Sequence, residues 1–401
     1  MLSEVRWAVY ELPFAFHVVY LISYQQNLLT FIIIVFESLE IDHHMKIVQT
    51  LWACNKPDLL SHSAGWLSSE YHLMSWALSC LQLTQNYNDV TLYTDTVSAK
   101  TIIDELQLPY TEVHCKYDGL LKDRDELFAV SKLVTYASQN GPFLHVDGDV
   151  HIWGNLDEAL LQGRLIAQNL EIGTLFYKTL YKQVLSQLPF IPDIVQDEYT
   201  TNPEILSYNA GILGGSDLEF FKLYCDKALH FVYSNECVFD KINLTHFNLI
   251  FEQYLFYCLA KEQKSEVQVL IHNLIEDNKY TGFTNYENAV LGKAYIHVIG
   301  ENKRRAAVCD KMATRLRNDH PEYFYRIISL FKKKGKALYK DHYAHLNNVS
   351  ETALISRYHA IKRTLDEKEK LGANGFTISN YFSNHSAITV SWHNKLHIFY
   401  Y

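Results

Sequence analysis

The chain has 401 residues, 48% of them hydrophobic and 20% charged, with a formal net charge of -9 at pH 7. That composition is globular, excludes a disordered or fibrous chain, and admits one large domain with an appendage or two modest domains. The acidic balance supplies no global basic field, so nucleic acid is not an expected partner.

Residues 1–44 stand apart. Leu12 to Phe36 is mostly apolar, but Ser23, Tyr24, Gln25, Gln26 and Asn27 interrupt it. The clean run from Leu28 to Phe36 is shorter than the roughly 20 residues a spanning helix needs. No basic stretch or small-residue cleavage site makes it a signal peptide. Three readings stand: membrane association through residues 12–36 as a weak anchor, an added structural segment, or a biological start at Met45. The third is preferred because MKIVQTLW begins like the first strand of a domain.

Met45 to Trp52 predicts that strand, followed by a loop to Pro57. Tyr71 to Leu83 has the i, i+3, i+4 spacing of a core-facing helix. Asp89 to Asp95 predicts a strand, Ser98 starts a helix, Pro109 to Val113 suggests a strand, and Glu126 to Tyr136 predicts a helix. Gly141-Pro142 breaks the chain before the strand at Phe143. This alternation predicts an α/β domain with a mixed, mostly parallel sheet flanked by helices. After Trp153, Asn155 to Glu158 opens a short helix and Glu171 to Thr201 reads as mixed and loop-rich. Leu206 to Gly215 reads as one strand, with Ser216 and Glu219 as a capping box for the next helix. Phe247 to Leu259 predicts a further helix, and Ala294 to Ile299 a strand carrying His297. From Lys332 the pattern is charged and helical, then thin. The expected division is therefore an extension at 1–44, an α/β domain at 45–330 and a helical C-terminal appendage at 331–401. The seven cysteines are scattered without a C-x-x-C pair, so neither a zinc site nor a disulfide framework is indicated. A cytoplasmic location is the plain reading. The sequon at Asn348-Val349-Ser350, within Asn347 to Ser350, matters only in a secreted eukaryotic chain.

The chemistry begins at FLHVDGDVHIW, residues 143–153, where an apolar run carries Asp147 and Asp149 around Gly148. Buried carboxylates need compensation. Two explanations are open: a polar loop between two strands, or a strand end delivering both carboxylates to a divalent cation. His297-Val298-Ile299-Gly300-Glu301-Asn302-Lys303 follows a strand and offers an imidazole ligand, a glycine turn and a point charge suited to diphosphate. Its plainer reading is a strand end with a satisfied histidine and a solvated basic run. Asn209-Ala210-Gly211 supplies an amide and two small residues against which a ligand, or merely a helix, can pack.

Together these stretches resemble the glycogenin-like retaining glycosyltransferases of family 8, which have the GT-A fold. The resemblance covers about residues 45–305. It rests on Ser131-Lys132-Leu133, Asp147-Gly148-Asp149, Asn209-Ala210-Gly211 and the His297 to Lys303 stretch, in family order. Val298 and Arg304-Arg305 stand where the family carries an aromatic and Pro-Trp, and His145 where tyrosine is common. The resemblance implies a GT-A-like fold and a nucleotide-sugar donor, a UDP-hexose, bound with Mn²⁺ or Mg²⁺ through Asp147, Asp149 and His297. Lys303 and Gly300 would meet the diphosphate. Lys132, Arg124, Gly148, Asn209, Ala210 and Gly211 would line the donor site. Thr50 and Trp52 lie where the family holds its nucleoside, Trp52 being either a stacking platform or core. Glu252-Gln253 resembles the family's acidic-Gln pair near sugar and acceptor, against the plainer reading of a helix-surface glutamate. The family has no agreed protein nucleophile, and none is named. The acceptor is open among glycan, peptide, protein and lipid, with residues 171–205 and the tail after Lys332 as expected places for its recognition. The alternative is a catalytically silent, nucleotide-sugar-binding accessory protein with a GT-A shell. A phosphohydrolase built on Asp147 lacks a matching second acidic metal site, and a membrane-anchored structural protein leaves the ordered motifs unexplained.

Overall fold

The computed structural model describes residues 45–340 except 122–123, 203, 278, 281–283 and 287–293, together with residue 342. It also describes, as backbone alone, strands at 6–11, 16–25, 28–37, 376–381, 387–392 and 395–400. The chain divides into two units, Met1–His44 and Met45–Tyr401.

In the first unit β1 (Arg6–Glu11), β2 (Phe16–Gln25) and β3 (Leu28–Glu37) form an antiparallel sheet in that order. Most of the apolar 12–36 segment is therefore strand, consistent with its β-branched and aromatic content; residues 12–15 and 26–27 lie outside the described residues. Among the described residues, no helix is long and apolar enough to cross a membrane.

The second unit starts with β4 (Lys46–Leu51), α1 (Ser69–Asn86), β5 (Val90–Thr94), α2 (Thr96–Ala99), β6 (Glu112–Cys115), α3 (Ala129–Ala137) and β7 (Phe143–Val146). Here β4 pairs in parallel with β5 and β7, and β5 with β6, as the alternation predicted. The α2 helix starts earlier than Ser98 because Asp95 caps it, accepting from Ser98 N at 2.7 Å. Next come β8 (Val150–Trp153), α4 (Glu158–Leu161), β9 (Leu165–Ala167), β10 (Leu170–Gly173), α5 (Phe176–Leu185) and α6 (Asp193–Thr201). The stretch expected to be loop-rich is thus largely a strand and two helices. The single strand expected at 206–215 is two, β11 (Ile205–Tyr208) and β12 (Ile212–Gly215), which enter different sheets. Asp217, not Ser216, caps α7 (Leu218–Tyr233). The chain continues through α8 (Leu244–Asn248), a π-helical turn at Leu249–Tyr254, α9 (Leu255–Glu262), β13 (Val267–Val269), β14 (Ile275–Glu276), β15 (Ala294–His297), α10 (Ala306–Asp319) and α11 (Pro321–Lys333).

The main sheet has the order β13-β9-β12-β7-β4-β5-β6. It is mostly parallel, with β12 antiparallel to both neighbours. One core packs α1, α10 and α11 together with Leu51 and Leu92; another packs α3, α7 and α9 together with Tyr93, Phe143 and Leu213. Leu92 and Tyr93 serve opposite cores, as the two-residue period of a strand requires. The helical reading after 331 holds through Lys333. Further on, β16 (Phe376–Tyr381), β17 (Ala387–Trp392) and β18 (Lys395–Tyr400) are antiparallel strands, a correction explained by their β-branched and aromatic residues. Residues 343–375, with the sequon, lie outside the described residues.

Candidate metal centre

Asp147-Gly148-Asp149 is the turn between β7 and β8, which leave it for different sheets. The segment is a loop, as the first sequence explanation has it, and the same turn brings its two carboxylates together with His297. The turn is closed by Val150 N donating to Asp147 O at 3.0 Å, and Asp147 N donates to Gly211 O at 2.9 Å. From α1, Ser75 Oγ donates to Gly148 O at 2.8 Å. A β-carbon at 148 would lie 2.4 Å from Cε2 of Trp76, so only glycine fits beneath that indole. Trp76 is itself held, its Nε1 donating to His72 Nε2 at 2.8 Å while His72 Nδ1 meets His62 O at 2.9 Å.

The third candidate ligand arrives from distant sequence. Antiparallel pairing of β15 with β8 sets His297 opposite Val150. This brings His297 Nε2 to 3.5 Å from Asp149 Oδ1. One potential ligand atom from each of Asp147, Asp149 and His297 lies within 4.8 Å of the others. Gly300 then turns the chain at φ +54, and Leu67 N donates to Lys303 O at 2.9 Å. Lys303 Nζ is thereby placed 2.6 Å from Asp149 Oδ2.

Lys132 projects from α3 to the other carboxylate. Its Nζ lies 2.8 Å from Asp147 Oδ1 and 3.0 Å from Glu252 Oε1. Glu252 is 2% exposed, which excludes the helix-surface reading. It sits in the π-helical turn, whose wider winding releases a carbonyl: Tyr224 OH donates to Glu252 O at 2.7 Å.

Burial raises the Asp147 carboxyl above its ordinary range, Lys132 opposing and the Asp149 charge adding to the shift. Burial also acts upward on Asp149, but Lys303 and His297 outweigh it and hold this carboxyl well below the usual range. Burial disfavours charge on Lys132, yet Asp147 and Glu252 prevail and hold its value above that of an ordinary lysine. Glu252 is raised, chiefly by burial. Asp149 is therefore held as an anion, while burial disfavours the charged form of Asp147 and Lys132 opposes that effect.

The Asn209-Ala210-Gly211 stretch joins β11 to β12 and forms the opposite wall. Asn209 Oδ1 accepts from Gly211 N at 2.9 Å, and its Nδ2 donates to Glu171 Oε1 at 2.8 Å. Ala210 is buried. A β-carbon at 211 would lie 2.2 Å from Gln168 Oε1 and 2.5 Å from the His297 ring. Gln168, Glu171, Trp76 and His72 were not singled out from sequence. The available signal was polar side chains in the apolar run LIAQNLEIG, the same anomaly that drew attention to Asp147 and Asp149.

The remaining candidates fall elsewhere. Trp52 is 5% exposed and packs in the core, presenting no open ring face. Thr50 Oγ1 is 2.8 Å from Thr135 Oγ1. Arg124 pairs with Asp240 at 2.8 Å and lies over the Phe239 ring. Gln253 is partly buried beside Glu252.

Two carboxylates and an imidazole form an oxygen-rich donor set suited to a divalent cation of the Mg²⁺ or Mn²⁺ type, with the half-buried Lys132 and Lys303 beside the carboxylates. The residues fit such an ion.

No curated protein matches the chain. Among solved structures it is similar to the glycosyltransferase GlyE of Streptococcus pneumoniae TIGR4, at 11% identity and a TM-score of 0.34, over 74% of this chain and 66% of that one. The chain thus spans just under two thirds of GlyE. It is also similar to the apo form of mouse xyloside xylosyltransferase 1, at 9% identity and a TM-score of 0.30, over 56% of this chain and 84% of that one. Residues 45–330 match the model of a family of unknown function, DUF6734, and the chain belongs to that family.

Proposed function

We propose that the chain is a metal-dependent glycosyltransferase that moves a hexose from a nucleotide-sugar donor, a UDP-hexose, to an acceptor with retention. The observation that carries this reading is the meeting of Asp147, Asp149 and His297 with Lys132, Glu252 and Lys303, residues from four separate stretches of chain. The ordered motifs shared with the family 8 glycosyltransferases support it, and residues 45–330 would be the catalytic domain.

Asp147, Asp149 and His297 would hold Mn²⁺ or Mg²⁺, which supplies Lewis-acid stabilisation to a departing diphosphate. The Nζ of Lys303, now on Asp149, is placed to move onto a phosphate oxygen, and the Gly300 turn allows backbone approach. Lys132 ties Asp147 to the buried Glu252, which restrains both carboxylates. Glu252 is then the carboxylate in position to orient sugar hydroxyls or to stabilise positive charge developing at the anomeric carbon. Gln253 follows it on the same turn, and Asn209, Ala210 and Gly211 form the wall a sugar would lie against.

A donor screen tests this. Wild type and Asp149→Ala are incubated with a panel of UDP-hexoses and Mn²⁺, and released UDP is measured. The reading predicts release from at least one donor by wild type and none by the variant. Metal-dependent UDP binding without release from any donor would replace it with the silent accessory protein.

A further inference from the structure

The His297 imidazole has two nitrogens, and only one tautomer can serve a cation beside Asp149. Metal-ligating histidines are usually set by the partner of their other nitrogen. Here Nδ1 of His297 lies 2.6 Å from Gln168 Oε1. Tyr295 OH donates to the same oxygen at 2.6 Å.

Which end of the Gln168 amide faces His297 follows from a backbone anchor. Asn169 Nδ2 donates to Leu170 O at 3.0 Å, and a carbonyl can only accept. Asn169 must then present Oδ1 to Gln168, whose Nε2 donates to it at 3.0 Å. Gln168 is left with Oε1 toward His297, so the imidazole must carry its proton on Nδ1. The lone pair stands on Nε2, the nitrogen 3.5 Å from Asp149 Oδ1.

Two neighbours preserve this arrangement. Gly211 leaves the space that the Gln168–His297 pair occupies, since a β-carbon there would overlap both. The Tyr280 hydroxyl lies between Asn169 Oδ1, at 3.1 Å, and the Glu171 carboxylate, which also accepts from Asn209 Nδ2. Gln168 is fully buried, so water does not compete for these bonds.

From this we infer that Gln168 is the positioning residue of the centre: it sets the His297 tautomer that exposes Nε2 to a divalent cation, and Gly211 keeps the room it needs. The inference rests on the metal-centre reading above, but its first readout does not require a metal.

The experiment has two readouts. The tautomer of His297 is read by ¹⁵N-resolved NMR of metal-free protein. Mn²⁺ affinity is read by titration of the metal alone. Wild type should show the Nδ1–H tautomer. Gln168→Met, similar in size but without an acceptor, should lose that preference and weaken Mn²⁺ binding roughly 10- to 100-fold. Gln168→Glu, which keeps an acceptor at the same place, should retain the tautomer.

A wild-type Nε2–H tautomer overturns the inference, as does a Gln168→Met affinity within about twofold of wild type, well inside the expected loss. If Gln168→Met fails to fold, the wild-type tautomer together with Gln168→Glu decides. Wild type that shows Nδ1–H but binds no Mn²⁺ sinks the metal-centre reading while keeping the assigned tautomer, so the two failures are distinguishable.

Discussion

Lys132→Met removes the cation that faces the buried Glu252 and the half-buried Asp147. Its Nζ lies 2.8 Å from Asp147 and 3.0 Å from Glu252, and the Glu252 side chain is 3% exposed. Deleting one member of a buried charge pair costs about 3–5 kcal/mol, because the partner is left uncompensated. At about 2 °C per kcal/mol for a domain of this size, Tm should fall by about 6–10 °C at neutral pH. The loss should also depend on pH. Burial already raises the Glu252 carboxyl, and Lys132 opposes that rise. Without Lys132 the folded-state value moves further above the unfolded one. A group with a raised folded pKa keeps its full contribution below the unfolded value, about 4.3 for glutamate, and loses it as pH climbs through the folded value. The variant should therefore be closer to wild type near pH 5 than near pH 8, read by thermal melts in metal-free buffer. Adding Glu252→Gln should recover part of the deficit. A Tm within about 2 °C of wild type, flat across that range, would refute the claim that these charges form one interdependent frame.

Lys303→Met should leave Mn²⁺ affinity unchanged or improved, because a competitor for Asp149 at 2.6 Å is gone. The same change should weaken UDP binding by roughly 10- to 100-fold, the loss of one charged hydrogen bond; titrations of metal and of UDP separate the two effects. Gly148→Ala should destabilise by about 1–3 kcal/mol through overlap with Trp76, and Trp76→Leu in that background should relieve part of the loss in urea unfolding. Asp95→Ala should cost about 2–4 kcal/mol in the same assay, since it strips a helix cap and orphans a buried N–H; Asp95 accepts from Ser98 N at 2.7 Å and Ala53 N at 2.5 Å.

Local pattern made the first half of the second unit legible. From β4 to β7 the chain alternates strand and helix with little interference, and the carboxylates of Asp147 and Asp149 stood out because their flanks are apolar. What escaped depends on distant partners. Helix α5 has apolar residues at Tyr177, Leu180, Tyr181, Val184 and Leu185, a helical period, but lacks a local cap. Its cap is Asp277, which accepts from Thr174 N and Leu175 N, each at 2.8 Å. Ser216 looked like a cap, yet Asp217 carries the bond to Phe220 N. The π-helical turn that carries the buried Glu252 meets Lys132 and Tyr224, contacts which no spacing in FEQYLF announces. Gln168 and Glu171 stand out in sequence only as polar side chains in an apolar run, and their roles exist only once β9, β10, β12 and β15 come together.

The most direct test of the central claim is calorimetric titration of UDP into wild type and Asp149→Ala, each with Mn²⁺ and with chelator. Binding in the micromolar range, about 8 kcal/mol, that needs both the metal and Asp149 is the predicted result. No UDP binding, or binding indifferent to chelator and to the loss of Asp149, would contradict the account and leave Asp147 and Asp149 as turn residues.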